Sequence, residues 1–218
     1  MPPTRVPVTD RSAPAPDRSR RRLPRRNLGR LTAFTLLPAL LLAGCGPAPA
    51  PSPTPTTYTC TPEAGGDAYP CTAEEHAAMV ALDALYDEAE TVYRRHMTEV
   101  FRLSSHWELA EVTPEIEATA AGPYLERMTQ LIAANREDRI DRVSGEPEIG
   151  WVKRLPGKSL GGSIVALWTC VDGSSGISRT LDSANGKPGI IGQNRIYLRR
   201  IDGALKLWES EVKLVESC

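Results

Sequence analysis

The clearest pattern in the chain runs from Leu82 to Val100. Leu82, Leu85, Tyr86, Ala89, Tyr93, His96 and Val100 recur at steps of three and four, and charged residues fill the positions between them. That spacing places the apolar set on one stripe of an α-helix. Just upstream, Thr72-Ala-Glu-Glu75 has the form of a capping box, with Thr72 as N-cap and Glu75 reaching back. The helix is therefore predicted from Ala73 to Leu103. Thr113-Pro114 offers a second N-cap with proline at the first helical position. Gly122-Pro123 interrupts that second segment, so a short helix, a break and a further helix from Pro123 to Asn135 are predicted. The stripe of that last helix is Tyr124, Leu125, Met128, Leu131 and Ile132. After Arg142 the pattern changes to short β-type runs. Strands are predicted over Glu146–Leu155, Gly162–Val171, Gln193–Ile201 and Ala204–Val215, with a weaker one near Ile177–Leu181. Asp202-Gly203 joins two of them as a tight hairpin. Asp172-Gly173 ends another, and Asp182–Gly192, rich in Gly, Asn and Pro, reads as a loop.

Helices first and an antiparallel meander of three to four strands afterwards define an α+β arrangement. Neither part can bury its apolar face alone. The helices are expected to cover one sheet face, which leaves the other as a surface for a protein partner or a second copy in a homodimer.

Composition changes the picture at the N-terminus. Of the 19 prolines, 12 lie at or before Pro55. Arginines crowd residues 18–30, and the apolar stretch Leu31–Leu42 is too short to span a bilayer. Leu42-Ala43-Gly44-Cys45 then resembles the lipobox of bacterial lipoproteins, in which the cysteine thiol receives a diacylglyceryl group and becomes the new N-terminus. Residues 1–44 are thus expected to be a signal peptide, and Pro24-Arg25-Arg26-Asn27-Leu28 has features of a twin-arginine export signal. Two acyl chains on Cys45 suffice for stable anchoring. The alternate prolines of Gly46–Thr57 favour an extended polyproline tether. The expected location is the outer face of the cell membrane, with lipid at Cys45 as the attachment.

Removing residues 1–44 also removes nine arginines and leaves 17 basic against 25 acidic residues. A domain with that balance is a poor match for nucleic acid, whose binding rests on cationic contacts. With Cys45 assigned to lipid, four cysteines remain: Cys60, Cys71, Cys170 and Cys218. An even set outside the cytoplasm suggests two disulfides, with three possible connectivities. Cys60–Cys71 with Cys170–Cys218 is the favoured set, because the first closes a short Gly-rich loop within residues 58–71 and the second pins a terminus that would otherwise fray.

Several blocks carry a resemblance. Thr119-Ala-Ala-Gly-Pro-Tyr-Leu125, Gly145-Glu-Pro147, Cys170-Val-Asp172, Ile201-Asp-Gly-Ala-Leu-Lys-Leu-Trp208 and Cys218 look like a family of actinobacterial lipoproteins and secreted proteins with an NTF2-like (cystatin-like α+β cone) fold. The resemblance covers residues 72–218. It implies a cone of helices on a curved sheet and the Cys170–Cys218 bond. It implies no catalytic set, since the family has no established activity. Enzymes of the wider superfamily use an apolar cavity with an Asp, His or Tyr at its mouth or floor.

The residues that bear on such a cavity are Tyr93, His96, Tyr124, Trp168 and Trp208. His96, on the apolar stripe beside Tyr93, is a candidate general base if a carboxylate accompanies it; its alternative role is a core histidine hydrogen-bonded within the fold. Trp151, Trp168 and Trp208 could form a stacking surface for a ligand or seal the sheet. The three histidines do not form a metal-binding spacing, and nothing points to a cofactor. Two functions stay open. One is a non-catalytic, membrane-tethered module that binds a small apolar ligand or an envelope protein. The other is a small-molecule isomerase, dehydratase or hydrolase that uses His96 with a nearby carboxylate.

Overall fold

The structure is a computed structural model that describes residues 56–107, 110–180 and 185–218. The expected signal peptide, the expected lipidation site Cys45 and the expected tether as far as Pro55 lie outside the described residues. The elements below belong to the unit Pro53–Cys218.

Helix α1 spans Ala73–Leu103 and starts where the sequence places it. The capping box forms: Glu75 N–H donates to Thr72 Oγ1 at 3.2 Å, and Thr72 N–H donates to Glu75 Oε2 at 2.8 Å. Helix α2 (Pro114–Thr119) begins with Thr113 as its cap, and α3 spans Gly122–Glu137. Between α2 and α3 the chain is extended at Ala120 and Ala121. There it docks on the sheet as a parallel bridge, Ala120 to Leu207, with Ala121 N–H donating to Leu207 O at 2.9 Å. The break thus serves as a short strand-like splice that fixes both helices to the sheet.

Residues 58–71, expected to be a disulfide-closed loop, form a hairpin of β1 (Tyr58–Cys60) and β2 (Tyr69–Cys71). The remaining strands are β3 (Ile140–Ser144), β4 (Glu148–Arg154), β5 (Val165–Asp172), β6 (Ile177–Thr180), β7 (Lys187–Pro188), β8 (Ile191–Ile201) and β9 (Ala204–Val215). The main sheet is antiparallel in the order β4-β5-β8-β9, and a smaller sheet runs β3-β6-β7. The α+β arrangement holds. Strand β3 has no counterpart among the predicted strands, and the loop expected over residues 182–192 contributes β7 and the first residues of β8.

Bulges interrupt the ladder between Ile149 and Trp151 of β4, and opposite Tyr197 and Leu198 of β8. Bulges bend strands and increase twist, so the main sheet curves around the helices. Its inner face buries Val165, Leu167, Ile196, Leu198, Leu205 and Leu207 against Tyr86, Ala89, Tyr93, Ile116 and Ile132.

Both disulfides form in the favoured pairing. Cys60–Cys71 has a Cα separation of 5.8 Å, and Cys170–Cys218 one of 5.7 Å. The last three residues turn back from the edge strand β9 to reach Cys170 of β5, over the outer face. Gly150, the bulged residue of β4, makes this possible: a Cβ there would lie 3.0 Å from Cys218 Cβ and 3.1 Å from its Sγ. Trp151 Nε1–H donates to Cys218 O at 2.8 Å and fixes the returning end.

Candidate functional site

The inner face of the sheet is longer than the helices that cover it. Between α1, α3 and the strands β5, β8 and β9 lies a cavity of about 490 Å³. Its walls are mainly apolar, with Met97, Val100, Met128, Ile196 and Val212 among them. Burial falls steadily along it. Tyr93 and Ile196, at the closed end, are 1% and 3% exposed, whereas Leu131, Ile190 and Val212, at the open end, are 47%, 64% and 65% exposed. Pleating explains the sheet's share of this lining. Asn194 pairs with Val212 and Ile196 with Ser210 across β8 and β9, so all four side chains fall on the inner face. Gly192, two residues from Asn194, leaves space there, since a Cβ at that position would meet only Val212 at 3.8 Å.

Tyr93 and Tyr124 both line this cavity. His96 does not: it sits behind Tyr124 and is fully buried. Its Nδ1 lies 2.8 Å from Thr119 Oγ1, and its Nε2 lies 3.2 Å from Tyr124 Oη. Thr119 Oγ1–H donates to Glu115 O at 2.7 Å, so the Thr119 oxygen accepts from Nδ1–H and Nε2 accepts from the Tyr124 hydroxyl. This assigns the neutral ring, with both nitrogens occupied. Burial lowers the His96 pKa to about 4, against the opposing pull of the Glu115 and Glu99 carboxylates. Those carboxylates are themselves held by arginines, Glu115 by Arg95 and Glu99 by Arg102.

Of the two roles open for His96, the hydrogen bonds favour the core histidine, since both ring nitrogens face hydroxyl groups. His96 joins α1 to α2 through Thr119 and to α3 through Tyr124, which is the work of a core histidine. Tyr124 spends its hydroxyl on that network, and burial raises its pKa.

The two tryptophans also stand apart from the cavity. Trp168 alternates with Leu167 and Thr169 and so projects from the outer face, where it meets Trp151 edge-on at 4.9 Å with Lys153 Nζ above the Trp151 ring at 4.6 Å. Arg195, Glu211 and Lys213 share that face with Trp168, which makes it a mixed aromatic and charged surface. Trp208 sits in the β9 bulge against Gly122 and Gly161, with the Arg199 guanidinium 4.8 Å from its ring centre. Its role is to seal the start of α3 on the sheet.

Other sequence candidates are structural. Asp172 Oδ1 accepts from Ser174 N–H at 2.8 Å and from Ser174 Oγ–H at 2.6 Å, which closes the turn after β5 and lowers the Asp172 pKa. His76 packs on Tyr58 with ring centres 5.0 Å apart. Among the described residues no cluster of three His, Cys, Asp or Glu side chains could hold a metal ion. Polar lining residues not singled out from sequence include Asn194, Ser104 and Ser210; Thr169 lies just behind the lining, opposite Asn194 across β5 and β8. In a strand of alternating residues, neither Asn194 nor Thr169 carries a signal beyond its position.

Comparison with protein-family models, curated proteins and solved structures gives no significant match. The geometry of this site therefore carries the functional reading.

Proposed function

We propose that this chain is a lipoprotein tethered through Cys45 to the outer face of the cell membrane, and that its folded part is a non-catalytic binding module of NTF2-like cone type. The observation that carries the reading is the cavity: about 490 Å³, apolar, open at one end and closed at the other by buried aromatic residues. Small-molecule sites have this volume and this balance of many apolar groups with a few polar ones. The order of helices and curved sheet supports the cone assignment, and the arginine-rich leader with its lipobox supports the anchor. An enzyme based on His96 is less favoured, because its nitrogens face two hydroxyl groups inside the core and not the cavity. The outer sheet face, with Trp168 among charged side chains, is the surface proposed for an envelope protein or a second copy.

Native mass spectrometry of protein gently extracted from its own membranes tests this reading. Expected are a diacylglyceryl mass on Cys45 and a small bound molecule. Gly192→Phe, which places a ring in the cavity from a strand position with room for it, is expected to lose the bound molecule while keeping its fold. An unlipidated protein found in the soluble fraction would overturn the anchor. A protein that carries no ligand and takes up no neutral apolar dye such as Nile red would overturn the binding module.

A further inference from the structure

The closed end of the cavity is lined by the Tyr93 phenol, with Thr169 beside it in the sheet, and the fold leaves both hydroxyls without a hydrogen bond of full geometry. Tyr93 is 1% exposed and Thr169 is fully buried, yet neither Tyr93 Oη nor Thr169 Oγ1 has a hydrogen-bond partner among the described residues. Burial raises the Tyr93 pKa and a hydrogen-bonding approach of the Thr169 hydroxyl opposes it, so the two hydroxyls are neighbours, though neither makes a hydrogen bond of full geometry among the described residues. Thr169 stands directly opposite Asn194, whose amide lines the same cavity and makes only a long bond, 3.3 Å, to Gly192 O. A buried hydroxyl left without a good hydrogen bond is costly, so native folds rarely leave two side by side without a reason. Tyr124, the other phenol of the cavity, is already committed to His96.

Charge at this site is balanced. Arg127 lines the cavity, but its guanidinium donates to Glu209 Oε2 at 2.8 Å. Among the described residues that line the cavity, no free cation waits at the closed end for a carboxylate or phosphate. The open end is apolar, with Leu131, Ile190 and Val212 exposed around it.

We infer that the cavity takes a neutral, largely apolar molecule that carries one hydroxyl or carbonyl oxygen, and that this oxygen sits at the closed end against the Tyr93 hydroxyl, with Thr169 and Asn194 beside it. The apolar body of the ligand then extends towards Leu131, Ile190 and Val212. This rests on the cavity being a binding site, and it adds the orientation and chemical class of the ligand. A simple acyl chain entering tail-first would leave the two hydroxyls with no better partner than each other, and an anion would meet no cation to offset its lost hydration.

The test is competition for Nile red by three molecules of one shape: 2-naphthol, naphthalene and 2-naphthoate, at neutral pH with the lipid-free soluble protein. The expected order is 2-naphthol about tenfold tighter than naphthalene, as one added hydrogen bond provides, with 2-naphthoate weakest. Tyr93→Phe removes only the hydroxyl and is expected to bring 2-naphthol down to the affinity of naphthalene, leaving naphthalene unchanged. Thr169→Val, near-isosteric and on the sheet instead of the helix, is expected to reduce the same preference and serves if the first variant folds poorly by circular dichroism. Equal affinity for 2-naphthol and naphthalene, a preference that survives both substitutions, or tightest binding of 2-naphthoate would overturn the inference while leaving a binding cavity in place. Failure of Nile red itself to bind would instead remove the cavity as a site, and this inference with it.

Discussion

His96 shows how one residue type can be read two ways until its neighbours are known. From the sequence it lies on an apolar stripe near Tyr93 and is a fair candidate base. In the fold its two nitrogens are taken by Thr119 and Tyr124, partners that come from α2 and α3 and that no local spacing could reveal. Its lowered pKa has a consequence for stability. The unfolded chain takes up a proton near pH 6.5, while the folded protein does so only near pH 4. Between those values the unfolded state holds more protons, so stability contributed by neutral His96 is complete above pH 6.5 and is lost as pH falls towards 4. The loss is about 3 kcal/mol. Urea unfolding at pH 7 and pH 4.5 is expected to show most of it in the parent protein and much less in His96→Gln. Gly122 is a second residue whose meaning comes from the fold. Its φ is +53°, and a Cβ would lie 2.4 Å from the Trp208 ring. Gly122→Ala is expected to cost at least about 2 kcal/mol, readable in the same unfolding experiment.

At the scale of elements, legibility tracks the strength of the local signals. Helix α1 has a capping box and many turns of stripe, and its observed ends are those the sequence predicts. Thr72→Ala is expected to cost about 1 kcal/mol, measured as a lowered thermal midpoint. The hairpin β8–β9 is legible from Asp202-Gly203, whose positive φ values, +51° and +83°, are those of a primed turn. Strand β3 is not, because Ile-Asp-Arg-Val-Ser is short and mixed, and its partner β6 lies far away in sequence. The faces of β5 pose a different problem. Residues on both sides of it are apolar or small, so nothing local says that Leu167 and Thr169 point inward while Trp168 points out. The bulge at Trp208 likewise shifts the parity of β9. The disulfides, in contrast, come from counting. Cys170–Cys218 spans 48 residues, and Cys218→Ser is expected to cost about 4 kcal/mol by loop-closure entropy, with reductant lowering the parent protein at least as far, since it opens Cys60–Cys71 as well.

At the scale of the whole molecule, the helices and the curved sheet create a cavity because the inner sheet face continues past the residues that α1 and α3 cover. Ion pairs link the layers: Arg200 of β8 with Glu88 of α1, Arg127 of α3 with Glu209 of β9, and Arg154 of β4 with Asp83 of α1. Each is at least partly exposed and worth little alone; two of them tie α1 and one ties α3 to the sheet. The α+β order is legible from the change of period after Arg142. The cavity itself is not, since its lining combines Tyr93 from one helix with Asn194 and Ile196 from a strand about a hundred residues further on.

The Cys60–Cys71 bond also has a mechanical consequence. A pull on the chain at Tyr58 would open the three residue pairs of the small hairpin, but the sulfur bridge carries the tension directly to Cys71, one residue before the Thr72 cap. Residues 61–70 stay slack, with Glu63 still accepting from the Tyr86 hydroxyl at 2.6 Å. Once the bridge is reduced, the same pull draws out those ten residues, about 35 Å of extra chain. The bond thus sets how far the chain before Tyr58 can be drawn from helix α1; in the proposed lipoprotein, reduction would lengthen the tether by that amount.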